Sequence, residues 1–392
     1  MFKVFTTFTG IGCPEIAFFN KNIPFTLVGS SEVDKNAIIA YDAIHNDYVP
    51  VEIPSKKDIL KEIEEKNIAY NFSTGKSEIP KNEEELKKLY CAHKRNKNYG
   101  DIRRIDEKAL PDFNLFSYSY PCKNISVAGE RAGFDEGSGT QSSLLWECER
   151  IIKEKKPTFL LMENVKNLVG TAYIADFEGW IKVLDEMGYN SYWEVMNAKN
   201  FGVPQNRERV IMISILKEED KGYSLPKGSP STSCVLDIIE DNVPEDFTIP
   251  HRRCNEVKEE YSFAENDFEM SNFFIDTVKQ ETKLIQVGRV DHDKNPHATR
   301  RVYDASGLCP TLTSMNGGDR EPKMILMDNG EVRVRKLTPL ECWRAMGIPD
   351  ACFELAKGAG LPKSKLYERA GRGIAVPMLE EVLERLYEIQ FR

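Results

Sequence analysis

The sequence predicts an α/β protein, a doubly wound and mostly parallel sheet accompanied by a second, smaller and irregular domain. Three observations carry this. Apolar strand patterns alternate with helix-period segments through residues 1–216. A glycine turn follows the first strand and opens a helix. From residue 217 the alternation gives way to short segments rich in Pro, Gly and polar residues.

In chain order, residues 3–8 (KVFTTF) read as a buried strand, followed by the turn TGIG and a short apolar helix. Residues 25–33 form a second strand and 34–46 a helix. Residues 51–99 break the rhythm: Lys, Glu and Asn dominate, and KNEEELKKLY reads as an exposed helix of an insertion on the sheet edge. Residues 112–120 alternate like a strand, 142–155 have helical spacing, and TFLLME (158–163) is another buried strand. A helix at 173–187 and strands at 190–198 and 209–216 complete the sheet. Residues 217–330 form the smaller domain. Helical patterning returns at 336–346 and 377–391, so 331–392 is expected to pack back on 1–216.

A chain of 392 residues exceeds the usual size of one core, which agrees with two domains. No apolar run approaches the roughly 18 residues of a bilayer span, so no membrane partner is expected. The amino terminus lacks the regions of a signal peptide. The nine cysteines include no CxxC pair, so neither a zinc site nor a disulfide framework is indicated, and a reduced, cytoplasmic setting fits. The net charge of -9 argues against nucleic-acid binding, because phosphate contacts need Lys and Arg. Basic groups at Arg103-Arg104, Arg207 with Arg209, Arg252-Arg253 and Arg300-Arg301 still allow a local basic face.

Four motifs carry candidate chemistry. Phe8-Thr9-Gly10-Ile11-Gly12 ends the first strand, and Glu32 ends the second, where a carboxylate can take ribose hydroxyls. The other reading is a tight structural turn, because the third glycine of a dinucleotide fingerprint is missing. Pro121-Cys122 follows the 112–120 strand, at the edge where open sheets bind ligands, so Cys122 is a nucleophile or inert core. Glu163 closes an apolar strand, where a carboxylate is costly unless paired or working. Gln205, Arg207 and Arg209 share one strand face, suited to an anion or base edge, or simply solvated.

The order of these motifs closely resembles the DNA cytosine-5 methyltransferase family. The resemblance covers most of 2–216 and again 287–378. It includes GSGTQSSLLWE (137–147), FGVPQNRERV (201–210), RKLTPLE (335–341) and AGRGIAVP (370–377). It implies a Rossmann-like domain dependent on S-adenosylmethionine, with 217–330 as target-recognition domain and double-stranded DNA as partner. Cys122, after Pro121, would attack C6 of a flipped cytosine, and Glu163, beside Asn164, would contact N3 and the exocyclic amine. Arg207 would hold the base and the active-site loop. The donor would lie over Phe8, Gly10, Ile11 and Gly12, with Glu32 on the ribose, Asp101 and Ile102 at the adenine, and Ser142, Leu144 and Ile374 nearby. Gln205, Arg209, Arg300, Arg301, Thr311 and Thr313 are the candidate DNA contacts. The resemblance further implies a bacterial or phage-encoded monomer, with a cognate restriction endonuclease as candidate partner.

This sequence departs from the family pattern at four places. Cys13 stands where a second glycine is usual, Lys123 where Gln follows the cysteine, and Gln141 where Arg precedes Ser142. The closing Gln-x-Gly-Asn-Ser/Ala reads Arg369-Ala370-Gly371-Arg372-Gly373. A cation at Arg372 beside the donor is costly if unpaired. It suggests an alternative donor, carboxy-S-adenosylmethionine, and a carboxymethylated product; the other reading is that Arg372 pairs with a protein acid, a phosphate or water. Further alternatives are a tRNA cytosine-5 methyltransferase, an inactive DNA-binding relative and, more distantly, a nicotinamide dehydrogenase.

Overall fold

The computed structural model describes residues 1–71, 74–120, 144–254, 282–290, 297–315, 317–328 and 331–392. The expected sites Pro121, Cys122 and Ser142, with the departures Lys123 and Gln141, lie outside the described residues.

The chain runs β1 (Phe2–Thr7), α1 (Cys13–Asn20), β2 (Phe25–Ser31) and α2 (Lys35–His45). The charged insertion follows as α3 (Lys56–Glu65), β3 (Tyr70–Asn71), β4 (Lys76–Ser77) and α4 (Glu83–Arg95). Then come β5 (Leu115–Tyr118), α5 (Leu145–Lys155), β6 (Phe159–Val165), α6 (Ile174–Glu186), β7 (Tyr189–Asn197), β8 (Gln205–Asn206) and β9 (Glu208–Leu216). Strands β10 (Gln286–Arg289), β11 (Arg301–Asp304), β12 (Cys309–Pro310), β13 (Lys323–Asp328) and β14 (Glu331–Lys336) precede α7 (Pro339–Arg344), α8 (Asp350–Gly358), α9 (Lys363–Arg372) and α10 (Val376–Phe391).

The main sheet has the order β2-β1-β5-β6-β9-β7, with β2, β1, β5 and β6 parallel. Strand β9 runs antiparallel between β6 and β7. A short return after β7 allows only an antiparallel neighbour, since parallel crossovers need a dozen or more residues. The period-2 alternation of the strands splits the core into two layers. Phe2, Val4, Leu115, Phe159, Leu161 and Ile211 pack with the helical residues of α1, α7 and α10 on one face. Phe5, Phe116, Leu160, Met162 and Met212 pack with α5 and α6 on the other. The α/β, doubly wound expectation therefore holds, and both faces are covered as a mostly parallel sheet requires.

The 217–330 region is more regular than its sequence suggests. Strands β10-β11-β13-β14 form a second sheet around Val287, Val302, Ile325 and Val334. The expected boundary at 330 falls inside a hairpin, because Glu331–Lys336 pairs with Lys323–Asp328 along its full length. The expected helix at 336–346 is only α7, and α8 and α9, not expected from pattern, follow it. No helix among the described residues is long and apolar enough to cross a membrane.

A buried ion pair joins β14 of the second sheet to α7. Glu341 is 0% exposed and Arg335 1%. Arg335 donates Nη1 to Glu341 Oε2 at 2.8 Å and Nη2 to Oε1 at 2.7 Å. The same carboxylate accepts the Thr338 N–H at 2.7 Å, closing a capping box, and the Glu240 N–H at 2.9 Å. Such a pair is costly to bury and more costly to break, because the survivor is an uncompensated charge. Glu341→Ala is expected to lower unfolding free energy by about 3–5 kcal/mol in urea denaturation. The double change Arg335→Met with Glu341→Leu should cost less than the single one.

Candidate active site

The carboxyl ends of β1, β2, β5 and β6 open on one edge of the sheet. Strand order reverses between β1 and β5, which creates the crevice where open α/β sheets bind ligands. Phe8, Gly10 and Gly12 all have positive φ (55°, 58° and 76°), so the chain after β1 turns sharply before α1. The two glycines differ in purpose. A Cβ on Gly12 would meet His45 Nε2 at 2.4 Å and Tyr41 Cε2 at 2.6 Å, so its bare face is filled by α2. A Cβ on Gly10 would meet only Phe8 O, at 4.0 Å. The open face, which a ligand can approach, is at Gly10. Ile11 is buried at 2%.

Glu32 reaches back across this turn. Its Oε2 accepts the Gly10 N–H at 2.9 Å, and its Oε1 accepts the N–H groups of Val33 (2.8 Å) and Asp34 (2.9 Å). Asp101 is 1% exposed and takes hydrogen bonds from Arg103 and from Asn67 Nδ2, the latter at 2.7 Å. Burial pushes its carboxyl up, but the Arg103 and Asn67 bonds outweigh this and hold it below the usual range. Ile102 and Leu144 are buried beside it in one apolar cluster.

Beneath Gly12 lies a polar group that the sequence reading missed. Glu15, 1% exposed, is buried against Tyr41, and burial, outweighing the Tyr41 hydroxyl, pushes its pKa up to about 7. His45 shares a 2.8 Å hydrogen bond with Ile11 O, and burial lowers its pKa to about 4.

Toward the middle of the sheet, Glu163 on β6 pairs with Arg209 Nε on β9 at 3.0 Å, both about one-tenth exposed. Asn164, 2% exposed, donates Nδ2 to Tyr120 O at 3.4 Å. This ties the chain entering the Pro121-Cys122 segment to the strand that carries Glu163. Arg209 thus faces a carboxylate of the protein, where a DNA contact was expected.

Arg207 and Gln205 also turn inward. Arg207, 2% exposed, donates Nη1 to Leu312 O (3.0 Å) and Nη2 to Gly373 O (2.7 Å) and Gly371 O (3.1 Å). Gln205 is 0% exposed, donates to Ala345 O at 2.8 Å and accepts the Leu312 N–H at 3.1 Å. The expected DNA contact at Gln205 is therefore corrected: its amide satisfies buried backbone groups instead. Thr311 and Thr313 flank Leu312 and are exposed, as is Arg301 on β11, while Arg300 donates Nε to Val290 O at 2.8 Å.

The closing segment accounts for its own departures. Arg372, 40% exposed, pairs with Glu368 (2.5 Å) and Asp34 (3.5 Å), and Arg369 pairs with Asp34 at 2.7 Å. Arg372 therefore has acid partners on the protein. A Cβ on Gly373 would lie 3.2 Å from Cys13 Sγ. The missing side chain at 373 and the added one at 13 compensate each other in volume. Ile374, whose backbone faces the Cys13 thiol, is buried at 7%.

A family model described as C-5 cytosine-specific DNA methylase matches residues 73–388. The type II methyltransferase M2.ScrFI of Lactococcus lactis subsp. cremoris is 35% identical, with 100% of both chains covered. The orphan methyltransferase M.SPBetaI of Bacillus phage SPbeta is 28% identical over 98% of this chain and 97% of its own. Among solved structures, the S. pombe Dnmt2 methyltransferase aligns with TM-score 0.58 at 15% identity, covering 99% of both chains. The Entamoeba histolytica methyltransferase EhMeth gives 0.60 at 13%, covering 99% and 98%. These two share the fold.

The buried carboxyl at Glu15 sets a pH dependence. Below about pH 4.5 it is protonated in both states; between about 4.5 and 7 the unfolded chain ionises while the folded one does not, so stability falls as pH rises. The stability of Glu15→Gln relative to the parent should therefore grow between pH 4.5 and 7, on the order of 3 kcal/mol, in urea unfolding at each pH. A difference that stays flat would contradict this.

Proposed function

The chain belongs to the C-5 cytosine-specific DNA methylases, and on that premise we propose a covalent, base-flipping route in which Cys122 attacks C6 while Glu163 holds the opposite edge of the ring. The family makes it a DNA (cytosine-5)-methyltransferase dependent on S-adenosylmethionine. The observation that supports the proposal is the Asn164 bond to Tyr120 O, which holds the residue preceding Pro121-Cys122 to the strand that carries Glu163.

The donor site fits S-adenosylmethionine. Gly10 leaves an open face and Glu32 is braced against it, so Glu32 would take the ribose, while the buried Asp101 and Ile102 would take the adenine. Bound there, S-adenosylmethionine would supply an electrophilic methyl group on its sulfonium, the S–CH3 bond breaking to leave the neutral thioether S-adenosylhomocysteine. Cytosine C5 is a poor nucleophile until the ring is made electron-rich. The Cys122 thiolate adds to C6, and Glu163 offsets charge at N3 through a shared proton. Arg209 keeps the Glu163 carboxylate oriented. Once C5 carries the methyl, water takes the C5 proton, and its electron pair expels the C6–sulfur bond, which restores the ring and the thiolate. A duplex hides C5 and C6, so the base must leave the stack at a cost of about a few kcal/mol.

Arg207 acts by position, joining β8 to the 312 and 371–373 segments that frame the site. The 217–330 domain reads the major groove, with Arg300, Arg301, Thr311 and Thr313 as candidate contacts. Unmodified S-adenosylmethionine is the donor proposed, because Glu368 and Asp34 already balance Arg372, and the argument for a carboxylated donor required an unpaired cation. Duplex DNA is the one partner the reaction requires. The relative M2.ScrFI is named a type II methyltransferase and M.SPBetaI an orphan, so a cognate endonuclease is not part of the proposal.

Nucleoside mass spectrometry of duplex DNA treated with either donor should find 5-methylcytosine from S-adenosylmethionine and no carboxymethyl product. Cys122→Ser should lower that rate by roughly 10³-fold or more, the scale of losing a nucleophile. Glu163→Gln should lower it by about 10²–10⁴-fold. Undiminished methylation by Cys122→Ser would overturn the covalent route, and methylation of tRNA in preference to duplex DNA would overturn the substrate.

A further inference from the structure

We propose that the charged insertion at 51–99 is part of the donor site, with Asn67 and Asn98 as positioning residues that hold Asp101 and Glu32 where the adenosine is read. The inference rests on the donor-site reading given above and deepens it.

The insertion separates Glu32 from Asp101 in sequence, yet it touches both. Asn98, 3% exposed, reads both backbone groups of Glu32: Oδ1 accepts the Glu32 N–H at 2.9 Å and Nδ2 donates to Glu32 O at 3.0 Å. The same Oδ1 accepts the Gly100 N–H at 3.1 Å, so one amide spans the segments of both acids. Asp101 donates its own N–H to Lys66 O at 2.9 Å, and Ser31 donates Oγ to Gly100 O at 2.7 Å. A Cβ on Gly100 would sit 2.2 Å from Lys66 O, so the segment entering Asp101 lies directly against the end of α3. Arg104 clasps the same helix end through Glu64 O and Glu65 O.

Asn67 is the informative residue. It follows α3 with φ 51°, its N–H bonds to Glu64 O, and the Ile68 N–H bonds to Ile63 O at 2.9 Å. This is a Schellman cap, a position that ordinarily favours glycine. Asparagine tolerates the left-handed conformation and adds what glycine lacks, the 2.7 Å bond from Nδ2 to Asp101 Oδ2. Arg103, nearly half exposed, bonds both carboxylate oxygens, Nε to Oδ1 at 3.0 Å and Nη2 to Oδ2 at 2.5 Å, from a side chain that reaches solvent, whereas Asn67 is fixed by the cap of α3.

Asn67→Gly separates the two roles, because glycine preserves the cap and removes only the amide. Calorimetric binding of S-adenosylmethionine without DNA should weaken about 10-fold, the scale of one hydrogen bond to a charged group. In turnover, KM for the donor should rise by the same factor, with kcat and KM for DNA within about twofold of the parent. The preference for S-adenosylmethionine over its deaminated analogue, with a 6-oxo group replacing the 6-amino group, should shrink; a purely structural role would weaken both equally. If Asn67→Gly lowers the melting temperature below the assay range, Asn67→Asp serves: similar in shape, it places a carboxylate against Asp101 and should weaken the donor further. Unchanged affinity and preference in these variants, while Asp101→Asn loses both, would overturn the role of the insertion alone. Unchanged preference in Asp101→Asn would instead overturn the adenine reading of Asp101, and this inference with it.

Discussion

A buried guanidinium holds this protein together where its distant segments meet. Arg207 lies almost fully inside and donates to the carbonyls of Leu312, Gly371 and Gly373. A cation placed there without acceptors would cost several kcal/mol, and carbonyl oxygens from two remote segments replace its water. The approach demands glycine at 371, where a Cβ would come within 1.7 Å of Thr313 O. Gln205, two residues earlier, satisfies the Leu312 N–H and the end of α7 from the same strand. The QNRER segment, which reads from sequence as an outward polar face, is therefore largely a junction.

That junction fixes the closing helices against the donor turn. Helix α9 carries Arg369 and Arg372, and their pairing with Asp34 couples it to the cap of α2, whose N–H bonds to the Glu32 carboxylate two residues earlier. Glu32 in turn braces Gly10. The chain from closing helix to acidic strand end to glycine turn is thus continuous in charge-assisted hydrogen bonds, which are shorter and stronger than neutral ones. The departures at Cys13 and in the closing motif make sense together: Cys13 fills the volume that Gly373 vacates, and the two arginines are met by Asp34 at the cap of α2 and Glu368 on α9.

The opposite wall comes from the insertion. Its outer helix surfaces carry the Lys and Glu pairs expected of a solvated face, while Ile59, Ile63, Leu86, Leu89 and Tyr90 form a core of their own with Ile38 of α2. A unit packed this firmly on α2 can hold backbone and carboxylates in place, which a loosely attached surface segment cannot.

The sequence alone determined the sheet. Strands and helices alternate with clean periods, and the two-layer core repeats that alternation residue by residue, because burial on both faces of a sheet leaves its mark on each strand. It also determined the residue types just past the first two strands, since Gly10 and Glu32 sit where local pattern predicts them, whereas Glu163, expected to close its strand, lies two residues inside the end of β6. Tertiary structure decided which way the polar groups face. Whether Arg207 and Gln205 point to DNA or into the protein, and whether Arg372 is paired, depends on acids and carbonyls more than a hundred residues away for Arg207, Gln205 and the Asp34 partner of Arg372. The same holds for Asn67 and Asn98, whose spacing from Asp101 and Glu32 carries no periodic signal. Local sequence encodes backbone preference and burial, but the partner of a buried polar group is chosen by the fold as a whole.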